Sequence, residues 1–264
     1  MNRSLSDIDL AEQRRGGFTL VEMLAVMAIM AILAVLAVPA IEGLNQSQSF
    51  SGSISGLSDS LNFARSYAVA QNTYVYVGFT ELDRTQGESA SPQVPGVGRV
   101  AVSLIATKDG TSDSSSWDSS GADVELVRPV EVFDFLHIAS APFPTASTGP
   151  MARPSGENAT ALVMPASVAP ALPFSLPLRS TPGSGKYNFS NESSQVICFN
   201  PQGQVLLPTT VAGSIVLQPA QSLELDIQPV KGSTPPALPT NVTQGILASV
   251  VVDGISGAIT VYRP

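Results

Sequence analysis

The sequence predicts an α+β protein in which one long N-terminal helix packs on an antiparallel β-sheet. An unbroken apolar run occupies residues 23–38, and apolar residues then recur at helical spacing as far as residue 68. The remainder alternates short runs of β-branched and aromatic residues with turns rich in Gly and Pro. We therefore expect a helical N-terminal segment followed by one β-rich head over residues 73–264, a length that suits a single domain.

The apolar run is long enough to cross a membrane as a helix. Residues 18–41 would span roughly 36 Å at about 1.5 Å per residue, and a bilayer core is about 30 Å thick. Between Met23 and Val38 the run contains no polar side chain, and Pro39 interrupts it near its end. Because proline removes a helical hydrogen bond, we expect a bend at this position. The sequence thus predicts a transmembrane helix over residues 18–41.

The residues before the run predict how the segment is processed and oriented. A removed signal peptide is the alternative, but its apolar core is only about 7–15 residues long and its small-residue cleavage site follows that core. Here the pair Gly16-Gly17 precedes the run, so cleavage there would leave the anchor on the mature chain. Arg14 and Arg15 also precede it. The positive-inside tendency then places the N-terminus in the cytoplasm and the head in the periplasm, outside the inner membrane.

Glu22 is a carboxylate at the start of the apolar run. An acidic side chain costs about 2.5–3.5 kcal/mol at the centre of a membrane helix and less toward the interface. Such a residue is predicted to have a function and a partner of opposite charge. The alternative is that Glu22 rests in the head-group layer without a role.

Together these residues resemble the type IV prepilin class, which includes the pseudopilins of type II secretion. The resemblance is carried by Gly17, Phe18 and Glu22, by the apolar helix that follows them, and by Pro39 near its end. It implies that a prepilin peptidase cuts after Gly17, methylates the new N-terminal Phe18, and removes residues 1–17 as a leader. It also implies that Glu22 pairs with the N-terminal amine of a neighbouring subunit, since either charge alone is costly in low dielectric.

The helix is predicted to continue in amphipathic form over residues 42–72. Its apolar face is formed by side chains three and four positions apart: Ile54, Leu57, Leu61, Ala64 and Ala68. Gly43, Gly52 and Gly56 weaken this part of the helix, each by up to about 1 kcal/mol relative to Ala. Asn72 is the predicted end.

Ten strands are predicted in the head, together with two irregular segments rich in Pro. The strands cover residues 73–80, 99–107, 123–127, 130–138, 194–200, 204–207, 214–218, 223–228, 247–253 and 258–263. Because Pro lacks the backbone donor that a central strand needs, residues 139–186 and 229–243 are expected to form surface excursions.

A second resemblance narrows the prediction to one kind of subunit. Residues 61–75 contain Ala64-Arg65-Ser66 and Asn72, and are similar to the helix-to-strand junction of H-type minor pseudopilins, the GspH/FimT family. Residues 199–203 are similar to a later F-x-P-x-G turn of that family, and the last predicted strand also fits. The resemblance implies a minor subunit whose middle region is longer than is usual for the family.

Composition argues against several other functions. The chain has a formal net charge of −8 and its basic residues are scattered, so a nucleic-acid partner is not expected. Cys198 is the only cysteine, which excludes an intramolecular disulfide, and its strand-like surroundings predict a buried, inert thiol. His137 is the only histidine, so neither a zinc site nor a Ser–His–Asp arrangement is expected. We predict no enzymatic activity and no cofactor.

One acidic, Ser-rich loop offers a candidate calcium site. Its carboxylates are Asp109, Asp113 and Asp118, and oxygen ligands on a flexible loop suit Ca²⁺. The spacing matches no EF-hand template, however, so a solvated turn is the preferred interpretation.

The sequence therefore predicts a minor pseudopilin that assembles through its N-terminal helix into the periplasmic pseudopilus of a type II secretion-like system. Its expected partners are a prepilin peptidase, other pseudopilins and the inner-membrane assembly platform. Two alternatives stay open. One is a minor pilin of a type IV pilus that serves adhesion or DNA uptake, and the other is an orphan surface protein that uses the same anchor.

Overall fold

A computed structural model of the protein describes residues 19–112, 123–144, 159–164, 166, 169–178, 184–230, 232–239 and 247–263, and for residues 36–46 and 159 only the backbone. The chain divides into two compact units, Met1–Asn45 and Gln46–Pro264.

Helix α1 spans Leu20–Gln71. It ends one residue before the predicted position, where Asn72 adopts a left-handed backbone with φ of 51°. The N–H of Thr73 donates to the carbonyl of Ala68 over 3.1 Å, which satisfies one of the free carbonyls at the helix end. Asn tolerates this conformation better than most residues do, so the local sequence accounts for the stop.

Thirteen strands follow α1 in the described part of the chain. They are β1 Val75–Asp83, β2 Gly98–Thr107, β3 Val124–Leu126, β4 Glu131–Ile138, β5 Ala159–Ala161, β6 Phe174–Leu176, β7 Tyr187–Phe189, β8 Ser194–Phe199, β9 Val205–Val211, β10 Ser214–Pro219, β11 Ser222–Pro229, β12 Ala248–Asp253 and β13 Ile259–Tyr262. All ten predicted strands are present, with bounds that differ by up to four residues from the prediction.

Eleven of these strands form one sheet. Nine of them follow one another in the order β10-β9-β8-β1-β2-β4-β11-β12-β13. Neighbours along this path are all antiparallel. Strand β3 pairs with β2, and β5 pairs in parallel with β11. Strands β6 and β7 form a separate two-stranded sheet. The predicted α+β architecture, a helix packed with a large antiparallel sheet, is confirmed.

The main core lies between the second part of α1 and the sheet. The predicted apolar face of the helix is buried there, since Ile54, Leu57, Leu61, Ala64 and Ala68 are fully buried. Phe50, which the prediction did not include, is buried with them at 1% exposure. Gly56 permits this close packing, because a Cβ at that position would lie 2.6 Å from Cε1 of Phe133 in β4. The glycine that weakens the isolated helix therefore helps it to pack against the sheet.

The opposite face of the sheet carries a second core. Tyr76, Ile105 and Cys198 are buried there against the small β6–β7 sheet. In that sheet the rings of Phe174 and Phe189 stack with centroids 4.6 Å apart. The unit Gln46–Pro264 is thus built in three layers, a helix, a large sheet and a two-stranded sheet.

Three short strands were not predicted. Strands β5 and β6 lie within residues 139–186, which were expected to form a surface excursion, and β7 follows directly after it. Leu162 and Met164 of this segment belong to the main core and are at most 4% exposed. Each strand has only three residues, which is too few for an alternating pattern to be recognised among many prolines.

Candidate functional site in the N-terminal segment

The first turn of α1 is organised by Thr19 and Glu22. The backbone N–H of Glu22 donates to Oγ1 of Thr19 over 3.2 Å, and the N–H of Met23 donates to the Thr19 carbonyl over 3.2 Å. Thr19 is therefore the N-cap, and Thr-Leu-Val-Glu has the order of a capping box. An acidic residue in the first turn is also favoured by the helix dipole. Thr19 thus caps the helix, a role that the sequence alone had not indicated.

The apolar side chains that follow Glu22 are exposed on every side of the helix. Eleven large apolar residues from Leu20 to Val35 are between 44% and 80% exposed: Leu20, Val21, Met23, Leu24, Val26, Met27, Ile29, Met30, Ile32, Leu33 and Val35. A helix that is apolar all round needs lipid or other helices around it. Among the residues whose side chains are described, no helix is both long and apolar enough to count as a membrane span.

Other parts of the predicted processing and anchor site lie outside the described residues. Gly17 and Phe18 precede the first described residue, Thr19, as do the two arginines of the predicted leader. Pro39 lies within α1, in the stretch 36–46 for which only the backbone is described. Cleavage after Gly17, methylation of Phe18 and the bend at Pro39 therefore stay predictions.

A second arrangement links the end of α1 to two turns of the head. The guanidinium Nε of Arg65 donates to the carbonyl of Ser256, in the turn between β12 and β13, over 2.8 Å. Gly257 closes that turn with φ of 65°. A Cβ there would overlap the carbonyl oxygen of Gly203, in the turn between β8 and β9, and would lie 2.8 Å from Cδ of Arg65. The structure thus brings Arg65 and both turns into contact.

Both turns are stabilised by their own side chains. Oδ1 of Asn200 accepts from the N–H groups of Gln202 and Gln204 over 3.0 and 2.8 Å. Oδ1 of Asp253 accepts from the N–H of Ser256 over 2.7 Å, and this bond lowers the pKa of Asp253. Two motifs of the second resemblance, at residues 61–75 and 199–203, therefore meet beside the turn that precedes the last strand.

The candidate calcium loop is described only in part. Asp109 accepts from the backbone N–H and the hydroxyl of Thr111 over 3.0 and 2.8 Å, and these bonds lower the pKa of Asp109. Asp113 and Asp118 lie outside the described residues. Within the described ranges no group of three or more His, Cys, Asp or Glu side chains could hold a metal ion. The contacts of Asp109 are those of a local turn.

The lone histidine forms a buried pair that sequence reasoning had missed. Nδ1 of His137 lies 2.8 Å from Oε1 of Glu81, and both side chains are at most 4% exposed. Burial raises the pKa of Glu81, although the contact with His137 acts in the opposite direction. The N–H of Gly98 also donates to Oε1 of Glu81 over 3.4 Å. The pair borders a cleft of about 430 Å³ that Met164 and Pro235 also line.

Cys198 is buried in β8, as predicted. Burial raises the pKa of the Cys198 thiol strongly. Because the thiolate is the reactive form, this thiol is inert.

Comparison with known proteins gives a match to the first segment. Residues 13–38 match the prokaryotic N-terminal methylation motif. No curated protein matches the chain, and no solved structure does. The matched residues include Gly17, Phe18 and Glu22. The match agrees with a structural subunit that a prepilin peptidase processes, that anchors in a membrane through its N-terminus and that assembles with other pilins. The chain therefore carries a prepilin-type N-terminal methylation motif, which is consistent with a protein similar to type IV prepilins or pseudopilins.

Proposed function

We propose that the protein is a minor pseudopilin that assembles into the pseudopilus of a type II secretion-like system. The observation that carries this proposal is the N-terminal methylation motif at residues 13–38, within which Leu20 to Val35 form a helix whose large apolar side chains are exposed on all sides. Cleavage after Gly17 would leave 247 residues beginning with Phe18. Residues 18–41 then anchor the chain in the inner membrane, and the head projects into the periplasm.

The head supports the H-type assignment within this proposal. The resemblance to H-type subunits rests on residues 61–75, on the turn at 199–203 and on the last predicted strand. The first two meet in space, since Gly203 lies against Arg65, and the turn that leads into the last strand contacts both. Motifs that form one junction are less readily explained as chance similarities than motifs scattered over the head.

Glu22 has two roles that an experiment can separate. Its position three residues after Thr19 is that of a capping box, which Gln fills as well as Glu does. As a charge that pairs with the N-terminal amine of a neighbouring subunit, it cannot be replaced by neutral Gln. The variants Glu22→Gln and Glu22→Ala therefore test the proposal together.

The experiment compares co-purification of the tagged full-length chain with its partner pseudopilins, in cells that also express the prepilin peptidase, for wild type, Glu22→Gln and Glu22→Ala. We expect both variants to insert in the membrane and both to lose association. The control is Glu42→Gln, a carboxylate outside the first turn, which should associate normally. Normal association of Glu22→Gln would show that the charge is not needed and would contradict the pairing role.

A minor pilin of a type IV pilus is the second candidate, because the methylation motif is common to both systems. Neighbouring genes separate the two: genes for a secretin and a secretion ATPase favour the pseudopilin, and a gene for a retraction ATPase favours the pilin.

A further inference from the structure

A polar pocket of about 400 Å³ lies between the β1–β2 loop, the start of β2 and the residues that lead into β7. Its volume falls in the range of about 300–1,000 Å³ that small-molecule sites occupy. One aromatic residue and five polar or charged residues line it: Tyr187, Glu88, Ser89, Gln93, Arg99 and Lys186. A lining of this kind suits a small polar ligand.

Backbone hydrogen bonds hold the walls of the pocket in place. The N–H of Gln93, in the β1–β2 loop, donates to the carbonyl of Lys186 over 2.8 Å and ties the loop to the opposite wall. The N–H of Asp83 donates to the carbonyl of Val94 over 2.9 Å within the same loop. The pocket is therefore formed before a ligand arrives, which lowers the entropic cost of binding.

The guanidinium group of Arg99 has donors that are not used. Its side chain is only 7% exposed, its Nε donates to Asp134 over 2.9 Å, and its Nη1 donates to the carbonyl of Gln86 over 3.3 Å. The carboxylate of Glu88, whose side chain is 77% exposed, approaches Nη2 only to 3.8 Å, which is too long for a hydrogen bond. A carboxylate can thus reach Nη2, and one that came closer would form a strong charge-assisted bond.

Lys186 adds a second positive charge to the pocket. Its Nζ lies 5.2 Å from the ring centroid of Tyr187, and it forms no ion pair with a residue in the described ranges. Asp134 offsets Arg99 only in part, because it is shared with Arg84, whose Nε lies 3.9 Å from the same oxygen. In a chain whose net charge is −8, this pocket therefore gathers positive charge and favours an anion.

The side chain of Gln93 contributes an acceptor. Its Nε2 donates to the carbonyls of Gly87 and Ala90 over 3.1 and 2.8 Å, which fixes the orientation of the amide. Its Oε1 is buried and has no hydrogen-bond partner among the residues that the structure describes. Because an unpaired buried oxygen is unfavourable, a ligand that brings a donor is favoured. Arg99 and Lys186 would repel an ammonium group, so a hydroxyl group is the better donor.

We propose that this pocket binds a small acidic sugar. A sugar of the uronic acid type combines one carboxylate, for Arg99 and Lys186, with hydroxyl groups, of which one donates to Gln93. Its ring also has an apolar C–H face, which the aromatic ring of Tyr187 can cover. The pocket lies entirely within the unit Gln46–Pro264, so binding does not depend on how the N-terminus is processed.

Isothermal titration calorimetry of the purified full-length chain in detergent tests the proposal with three ligands. Glucuronate carries the carboxylate and the hydroxyl groups, glucose lacks the carboxylate, and cyclohexanecarboxylate keeps the ring and the charge without the hydroxyl groups. We expect glucuronate to bind at least about tenfold more tightly than either of the other two, because each of them lacks one set of hydrogen bonds.

Matched variants locate the binding in this pocket. Lys186→Gln removes an unpaired charge and should weaken glucuronate binding by about tenfold. Glu88→Gln removes the carboxylate that competes for Arg99 and should strengthen binding. Lys108→Gln changes an exposed lysine outside the pocket, and it should bind glucuronate as the wild type does. Circular dichroism of the three variants controls for folding.

Three results would overturn the proposal. The first is the absence of a heat of binding for glucuronate at millimolar concentration. The second is equal affinity for glucose or for cyclohexanecarboxylate, which would show that the pocket does not recognise the combination of charge and hydroxyl groups. The third is unchanged glucuronate binding by a folded Lys186→Gln variant, which would place the sugar elsewhere.

Discussion

Two parts of the same helix, α1, differ in what surrounds their apolar side chains. From Leu20 to Val35 every large apolar residue is exposed, whereas from Phe50 to Ala68 the apolar stripe is at most 1% exposed. The first part is apolar on all sides, and the second is apolar on the face that meets its own sheet. A helix of the second kind buries its apolar face against its own chain. A helix of the first kind requires lipid or other helices around it.

The contrast separates the residues that fold the head from those that are available for assembly. The head contains its own core on both faces of a large sheet, and its helical residues serve that core. The apolar side chains from Leu20 to Val35 belong to neither of these cores within the described residues. The match to the N-terminal methylation motif falls on this first part. We therefore place the capacity for assembly at the N-terminus.

The largest expected effect comes from changing Gly17. Gly17→Leu should leave the precursor at full length, because the proposed peptidase cuts directly after this residue. The measurement is the fraction of shortened chain on a gel or by mass. Gly16→Ala, one position earlier, is the control and should be processed. Normal processing of Gly17→Leu would contradict the cleavage site.

A matched pair of substitutions in α1 tests the contrast between its two parts. Leu61→Ala should lower the free energy of unfolding of the head by about 2–5 kcal/mol, since Leu61 is fully buried in the core. Leu24→Ala, at a residue that is 63% exposed, should leave that stability unchanged. Denaturant titration of the full-length chain followed by circular dichroism measures both. Equal losses would show that the two parts of the helix are not distinct in this way.

A smaller effect is expected at the buried pair of His137 and Glu81. His137→Ala removes the partner of a buried carboxyl group and should destabilise the head by about 1–3 kcal/mol. His137→Gln, which can still donate a hydrogen bond, should recover part of this loss. The same titration provides the measurement, and an unchanged unfolding midpoint for His137→Ala would show that the contact contributes nothing.

The smallest effect is a pH dependence that arises at Glu81. Because burial raises the pKa of Glu81, the folded protein holds its proton at pH values where the unfolded chain has lost it. This contribution to stability is present below the unfolded pKa and is lost as the pH rises through the folded pKa. Glu81→Gln cannot ionise, so its stability relative to wild type should increase as the pH rises from about 4 to 7. A constant difference over that range would contradict the raised pKa.

The sequence predicts those elements whose causes are local. The strands rich in β-branched residues, the end of α1 at Asn72 and the buried face that includes Leu61 all follow from spacing and turn chemistry. The pairing of Glu81 with His137 could not be predicted, because the two residues lie 56 positions apart and meet through the sheet. The same holds for the fit of Gly56 against Phe133, where composition alone indicated a weakness in the helix.

In the candidate site, too, some features could be predicted from the sequence and others depend on the fold. Its N-terminal motif is a short contiguous pattern, so it could be recognised in the sequence. The contact of Arg65 with the carbonyl of Ser256 depends on the fold, since the two residues lie 191 positions apart.

Mass spectrometry of the membrane-extracted protein tests the central claim most directly. We predict an N-terminal peptide that begins with methylated Phe18, from a mature chain of 247 residues. A chain that retains residues 1–17, or one cleaved after the apolar run, would contradict the claim that the N-terminal segment is a processed assembly helix.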